Sequence, residues 1–156
     1  MAEEMTPDTV YITYIAATAE QVWNALTLEA FTKHYFFGMH IHSEWRVGEP
    51  WTLYKPDGTR AVSGTVLAAE RPNLLKVSWI VEGVDLPQCI VTYAIETQGM
   101  VVKLTMTEHH PSPLDPAWLE GGKQGWPKIL SGLKTLLETD SVLPIPMPQP
   151  REETAS

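Results

Sequence analysis

A single cysteine, Cys89, in 156 residues excludes an intramolecular disulfide framework and any centre held by several thiolates, and points to a reducing compartment. Positive charge is scarce: 11 Lys and Arg stand against 19 Asp and Glu, a net charge of −8. The basic residues are scattered, so neither a nucleic-acid backbone nor an anionic membrane surface finds a clustered patch, and no nucleic acid is expected as a partner. No apolar run approaches the ~20 residues that cross a bilayer, so membrane insertion is not expected either. The opening residues carry Glu3, Glu4 and Asp8 where a secretory signal needs a basic and then an apolar stretch, which gives a cytoplasmic location. Missing too are a Gly-x-Ser-x-Gly turn, a glycine-rich phosphate loop, a dinucleotide fingerprint and a Cys-x-x-Cys pair.

What is present is an ordinary globular composition, 44% hydrophobic and 19% charged, of a length that fits one domain with a self-sufficient core. Residues 10–140 are expected to form that domain, with a short tail over 1–9 and a proline-rich tail over 141–156. In the latter Pro144, Pro146, Pro148 and Pro150 occupy alternate positions. They fix φ and remove backbone donors, so this tail reads as extended chain, either frayed or docked on the surface.

Val10 to Ala16 is rich in β-branched and aromatic residues and predicts a strand. Thr18 followed by Gln21 is a capping box ahead of Val22, Ala25 and Leu26, so a helix begins there. A second short helix is predicted from about Leu28 to Tyr35, ended by Phe36-Phe37-Gly38. Six alternating segments follow: His40 to Trp45, Trp51 to Lys55, Arg60 to Ala69, Leu74 to Val81, Gln88 to Thr97 and Met100 to Glu108. Short Gly, Pro, Asn and Asp turns separate them, which makes the strands an antiparallel meander. Alternation places Leu75, Val77, Trp79 and Val81 on one side of their strand, Val91, Tyr93 and Ile95 on one side of the next, and Val102, Leu104 and Met106 on one side of the last. Lys76, Ser78, Thr92, Glu96, Lys103, Thr105 and Thr107 fall on the opposite, wet side. Trp126, Ile129, Leu130, Leu133 and Leu137 then mark the apolar stripe of a C-terminal helix that covers the apolar side. Pro127 fits either the first turn of that helix or the interior of a longer one starting near Trp118.

That order of elements resembles the helix-grip fold of the START-like, or SRPBCC, superfamily. Ala17 to Leu26 (ATAEQVWNAL), Arg46-Val47-Gly48-Glu49 before Trp51, Asp57-Gly58, Gly64-Thr65-Val66-Leu67, Leu75 to Trp79, and Gly125-Trp126 with Ile129, Leu130 and Leu133 look like motifs of proteins similar to the activator of heat-shock protein 90 ATPase. The resemblance spans Val10 to about Asp140. It implies an α+β fold of the START/Bet v type, a curved antiparallel sheet of about seven strands gripping the last helix across an apolar cavity, with two short helices after the first strand. Superfamily members bind lipids, polyketides, hormones or chaperones, and some are cyclases. The chain departs from the pattern at Glu49-Pro50, where a second glycine is usual, at Pro127, and in its proline-rich tail.

Three functions remain. The first is non-catalytic binding of a small hydrophobic or amphipathic ligand between sheet and helix, by a monomer or homodimer. Its expected wall is Trp51, Leu75, Val77, Trp79, Val91, Tyr93, Leu104, Met106, Trp126, Leu130 and Leu133, bulky apolar residues with a few polar tips. The second is a cochaperone-like module docking a heat-shock protein 90-type chaperone. The third is a cyclase- or dehydratase-like enzyme in which a histidine or acid at the cavity mouth, such as Glu108 or His109, moves a proton. His40, His42 and Glu44 share one side of a strand and carry zinc-binding donor types, but a solvated face is the preferred reading. His109 and His110 read as surface-loop histidines, His34 as a weak candidate, and Cys89 as a small buried hydrophobe. No catalytic residue, metal or cofactor is assigned.

Overall fold

The local signals resolve into ten elements in the computed structural model, which describes residues 6–146. They run β1 (Thr9–Ile15), α1 (Ala19–Thr27), α2 (Glu29–Tyr35), β2 (His40–Ser43), β3 (Pro50–Tyr54), β4 (Arg60–Glu70), β5 (Leu74–Val81), β6 (Cys89–Gln98), β7 (Val101–His109) and α3 (Pro116–Thr139). The strands form one seven-stranded antiparallel sheet of order β1-β7-β6-β5-β4-β3-β2. A helix-grip architecture results, curved sheet against long C-terminal helix.

Capping chemistry sets the helix starts. Thr18 Oγ1 accepts from the Gln21 amide at 3.1 Å while Gln21 Oε1 accepts from the Thr18 amide at 2.8 Å, satisfying two orphan donors of α1. The cap orients α1 so that Val22, Trp23, Ala25 and Leu26 are buried. For α3 the start is Pro116, with Asp115 accepting from the Ala117 amide at 2.8 Å, so Pro127 lies inside one continuous helix. Trp126, Ile129, Leu130, Leu133 and Leu136 make its buried stripe. Its C-terminal half is fastened to the first strand and the turn after it: Lys134 donates to the Tyr14 carbonyl and Glu138 accepts from the Ala16 amide. Near its middle, α3 approaches α2 closely, because a Cβ on Gly132 would lie only 3.0 Å from Tyr35 Cβ.

Two details depart from the sequence pattern. The strand expected to run to Trp45 stops at Ser43, whose hydroxyl accepts from the Trp45 amide at 2.9 Å and turns the chain; Trp45 then donates its indole N–H to the Thr27 carbonyl. Ser78, expected on the wet side, is buried. The β4–β5 register shifts between Val66 and Ala68, leaving the Thr65 amide to donate to Ser78 Oγ at 2.8 Å. On the same stretch the Trp51 indole crosses Gly64 and donates to the Ser78 carbonyl at 2.8 Å. Only glycine permits that approach: a Cβ on Gly64 would sit 1.9 Å from the Ser78 carbonyl oxygen. Among the described residues no helix is long and apolar enough to cross a membrane.

Candidate ligand-binding site

Trp79 of β5 meets Trp126 of α3, Trp51 of β3 and Phe36 through aromatic rings. Trp51 and Trp79 lie 5.1 Å apart by ring centroid, Trp79 and Trp126 5.3 Å, Phe36 and Trp126 5.7 Å in an edge-to-face arrangement, and Phe36 and Trp79 6.2 Å. Edge-on, tilted and offset-stacked contacts of this kind fill space while matching ring quadrupoles. The remaining void, bordered by Trp51, Leu75, Val77, Trp79 and Tyr93 together with residues of α1 to β3, has ≈ 10 Å³, about one water probe.

A second space of ≈ 350 Å³ opens beyond the Trp79–Trp126 pair, toward the start of α3. Trp79, Val81 and Cys89 form one wall, Leu86 and Pro87 of the β5–β6 loop one rim, and Leu114 the other. Trp118, Gly121, Gly122 and Trp126 of α3 complete it. The two glycines remove side chains where the helix would otherwise fill the gap, and Gly122 leaves Glu108 Oε1 only 3.6 Å from where a Cβ would be.

Glu108 and His110 bring polarity to this apolar hollow. Glu108 continues the inward row of Val102, Leu104 and Met106, and its side chain is 11% exposed. Cys89 Sγ donates to its Oε2 at 3.8 Å, and His110 Nε2 lies 3.5 Å from its Oε1 without hydrogen-bond geometry. His110 Nε2 and Tyr11 Oη are buried and have no hydrogen-bond partner among the described residues. Burial first, and the Glu108 charge second, push the Cys89 thiol up to about 12 and raise Tyr93 and Tyr11 above the ordinary phenol value. The expectation for His110 as a surface-loop residue is therefore corrected: Cys89 and Glu108 face inward at this end of the sheet, and the chain after β7 turns the imidazole into the hollow beside them.

The residues expected to wall a ligand are thus divided. Trp79 and Trp126 border the ≈ 350 Å³ space. Trp51, Leu75, Val77 and Tyr93 border the ≈ 10 Å³ void. Val91, Leu104, Met106, Leu130 and Leu133 are buried in the core and border neither. Of the other candidates, His109 is exposed and pairs with Asp8 at 2.8 Å, His40 lies 3.7 Å from Glu29, and Glu44, beyond the end of β2, lies 3.8 Å from Arg46. No group of three His, Cys, Asp or Glu among the described residues is placed to hold a metal ion. His34 borders a separate surface pocket together with Val142, Leu143, Pro144 and Ile145, so the start of the C-terminal tail lies against α2; residues 147–156, with Pro148 and Pro150, fall outside the described residues.

Across this architecture, residues 16–138 match the family described as Activator of Hsp90 ATPase homolog 1-like protein. The chain belongs to that family. Solved structures similar to this Activator of Hsp90 ATPase homolog 1-like chain share the fold. MLL2253 from Mesorhizobium loti superposes with a TM-score of 0.73 at 23% identity, covering 84% of this chain and 96% of that one. CalU16 from Micromonospora echinospora gives 0.70 at 22% identity, over 86% and 76%. ChR145 from Cytophaga hutchinsonii gives 0.71 at 24%, over 88% and 98%. No curated protein matches the sequence at a significant level.

Within this family member, sequence reasoning named Trp79, Trp126 and, at the cavity mouth, Glu108, and missed the other residues that border the hollow. Glu108 and Cys89 had a signal, since each has the same parity as the apolar row of its own strand. Leu86, Pro87, Leu114 and Trp118 had none, because loop closure and the start of α3 decide their positions.

Proposed function

We propose that this family member binds a small hydrophobic or amphipathic molecule, without turning it over, in the space between the sheet and the first half of α3. On this reading residues 10–140 act as one ligand-binding domain in the cytoplasm. The single observation that carries it is the ≈ 350 Å³ hollow walled by Trp79, Trp118 and Trp126 with Glu108 and His110 at one side. Its volume lies in the range of small-molecule sites, ~300–1,000 Å³, and such sites combine mainly apolar walls with a few convergent polar groups. Of the expected wall, Trp79 and Trp126 are the residues we assign to ligand contact; the others support them from behind.

Native mass spectrometry of the protein purified from its own host, followed by solvent extraction, tests this reading. A bound small molecule in the native protein, lost in Gly122→Leu because the leucine occupies the hollow, is the expected result. A ligand-free protein that also takes up no apolar probe would defeat it. Family membership supports a cochaperone reading as the alternative, and a stoichiometric complex with a heat-shock protein 90-type chaperone that Gly122→Leu leaves intact would favour that one. The buried Glu108 and His110, 3.5 Å apart, support a cyclase- or dehydratase-like enzyme as a further alternative; conversion of the extracted molecule, abolished in Glu108→Gln, is its sign.

A further inference from the structure

Glu108 is an anomalous group to place beside an apolar hollow. Its side chain is 11% exposed, and no lysine or arginine is among the described residues lining the space. A buried carboxylate without a fixed cation is unfavourable unless something neutralises it. Cys89, Tyr93 and Tyr11 cannot do so, being neutral acids that burial first and the Glu108 charge second hold toward their protonated forms, and the basic side chain among the described lining residues is the His110 imidazole, 3.5 Å from Glu108 Oε1. His110 adds a second anomaly, since it is 4% exposed and its Nε2 has no hydrogen-bond partner among the described residues although Glu108 Oε1 is 3.5 Å away.

Resting on the ligand-binding reading above, we propose that the ligand's polar end is a protonated amine, held by Glu108 and His110 between the tryptophan walls. An ammonium group carries three N–H donors and no acceptor. With the imidazole proton on Nδ1, His110 Nε2 and Glu108 Oε1 are two acceptors 3.5 Å apart, a spacing that one ammonium can bridge by donating a hydrogen bond to each. The bond to Glu108 is charge-assisted and neutralises the carboxylate in place, and the one to His110 satisfies the orphaned nitrogen. Trp79, Trp118 and Trp126 border the same space, and indole faces attract cations when water is excluded. A hydroxyl would bring one donor and leave the carboxylate charged; a ligand carboxylate would be repelled. The net charge of −8 also favours the approach of a cation over an anion.

Calorimetric titration of the full chain with octylamine, octanol and octanoate, at neutral pH and below micelle formation, tests this. The three probes are unbranched, have eight carbons each and differ in the end group. The expected order is amine tightest, by about tenfold over the alcohol, with octanoate weakest. Glu108→Gln, which keeps the shape and removes the charge, should abolish the preference for octylamine over octanol; Gly122→Leu should abolish binding of all three. Equal binding of amine and alcohol to the unmodified protein, or tighter binding of octanoate, overturns the amine assignment and leaves the ligand site standing. Failure of all three probes to bind the unmodified protein removes both. The comparison on the unmodified protein requires no variant to fold.

Discussion

The two spaces on the inner side of the sheet meet at Trp79 and come out opposite. Around Phe36, Trp51, Trp79 and Trp126 the gap is closed by rings at 5.1 to 6.2 Å, and ≈ 10 Å³ remains. One helical stretch away, where α3 offers Gly121 and Gly122, ≈ 350 Å³ stays open. Composition of the sheet face does not explain the contrast, because Trp79 belongs to both regions. The covering elements do: Phe36 and the residues of α1 to β3 fill the space over one side of Trp79, whereas on the other side α3 presents Gly121 and Gly122 ahead of Trp126 and the interior is hollow. A binding space in this fold is therefore set by side chains left out of the helix, and the aromatic cluster serves as its back wall.

The largest break in that comparison is expected from truncating the ring that backs the hollow against Phe36 and Trp79. Trp126→Ala should join the two spaces and lower unfolding free energy by about 3–5 kcal/mol, the usual cost of deleting a buried tryptophan; a denaturant midpoint close to that of the native protein would show that the rings are not what closes the centre. Gly64→Ala attacks the closed end from the sheet side, since the added methyl meets the Ser78 carbonyl at 1.9 Å. A loss of about 3 kcal/mol or more is expected, together with a change in Trp51 fluorescence as its indole leaves that carbonyl.

Cys89 reports on the open end. Its thiol is raised from 9.0 to about 12 by burial and by Glu108. A folded value above the unfolded one means that the protonated thiol's contribution is complete below about pH 9 and is lost as pH climbs through about 12. Stability should therefore fall more steeply with alkali in the native protein than in Cys89→Ala, and identical alkaline slopes would contradict the assignment. The smallest effect is expected for Gly122→Ala. Its methyl would meet Glu108 Oε1 at 3.6 Å and Trp126 Cδ1 at 3.8 Å, ordinary contacts, so removing a helical glycine should stabilise the protein by about 0.5–1 kcal/mol. Thermal melting checks this, and a marked destabilisation would mean that the helix packs more tightly there than the open space implies.

Much of the fold was readable from local chemistry. The Thr18–Gln21 box marks the start of α1 because its partners are three residues apart, and Leu74 to Val81 reads as a strand because turn formers bound an alternating run. Ser78 escaped that reading: its burial depends on a shifted register opposite Gly64, and the pattern of a single strand carries no record of its neighbour's register. Pro127 left two starts open for α3, because proline suits both a first turn and a tolerated interior position. Within the site, Trp79 and Trp126 were legible as inward aromatics, whereas Trp118, Leu86 and Leu114 depend on how two loops and a helix end come together.

Period-two and helical spacings, caps and turns thus determined the elements, their faces and the antiparallel order of this protein, since those depend on residues near one another in the chain. Which inward residues touch each other and which face a hollow was decided only by the tertiary structure. Packing is a matter of summed volumes from distant segments, and one glycine on a helix opposite a tryptophan on a strand changes that sum without leaving a mark on either local pattern.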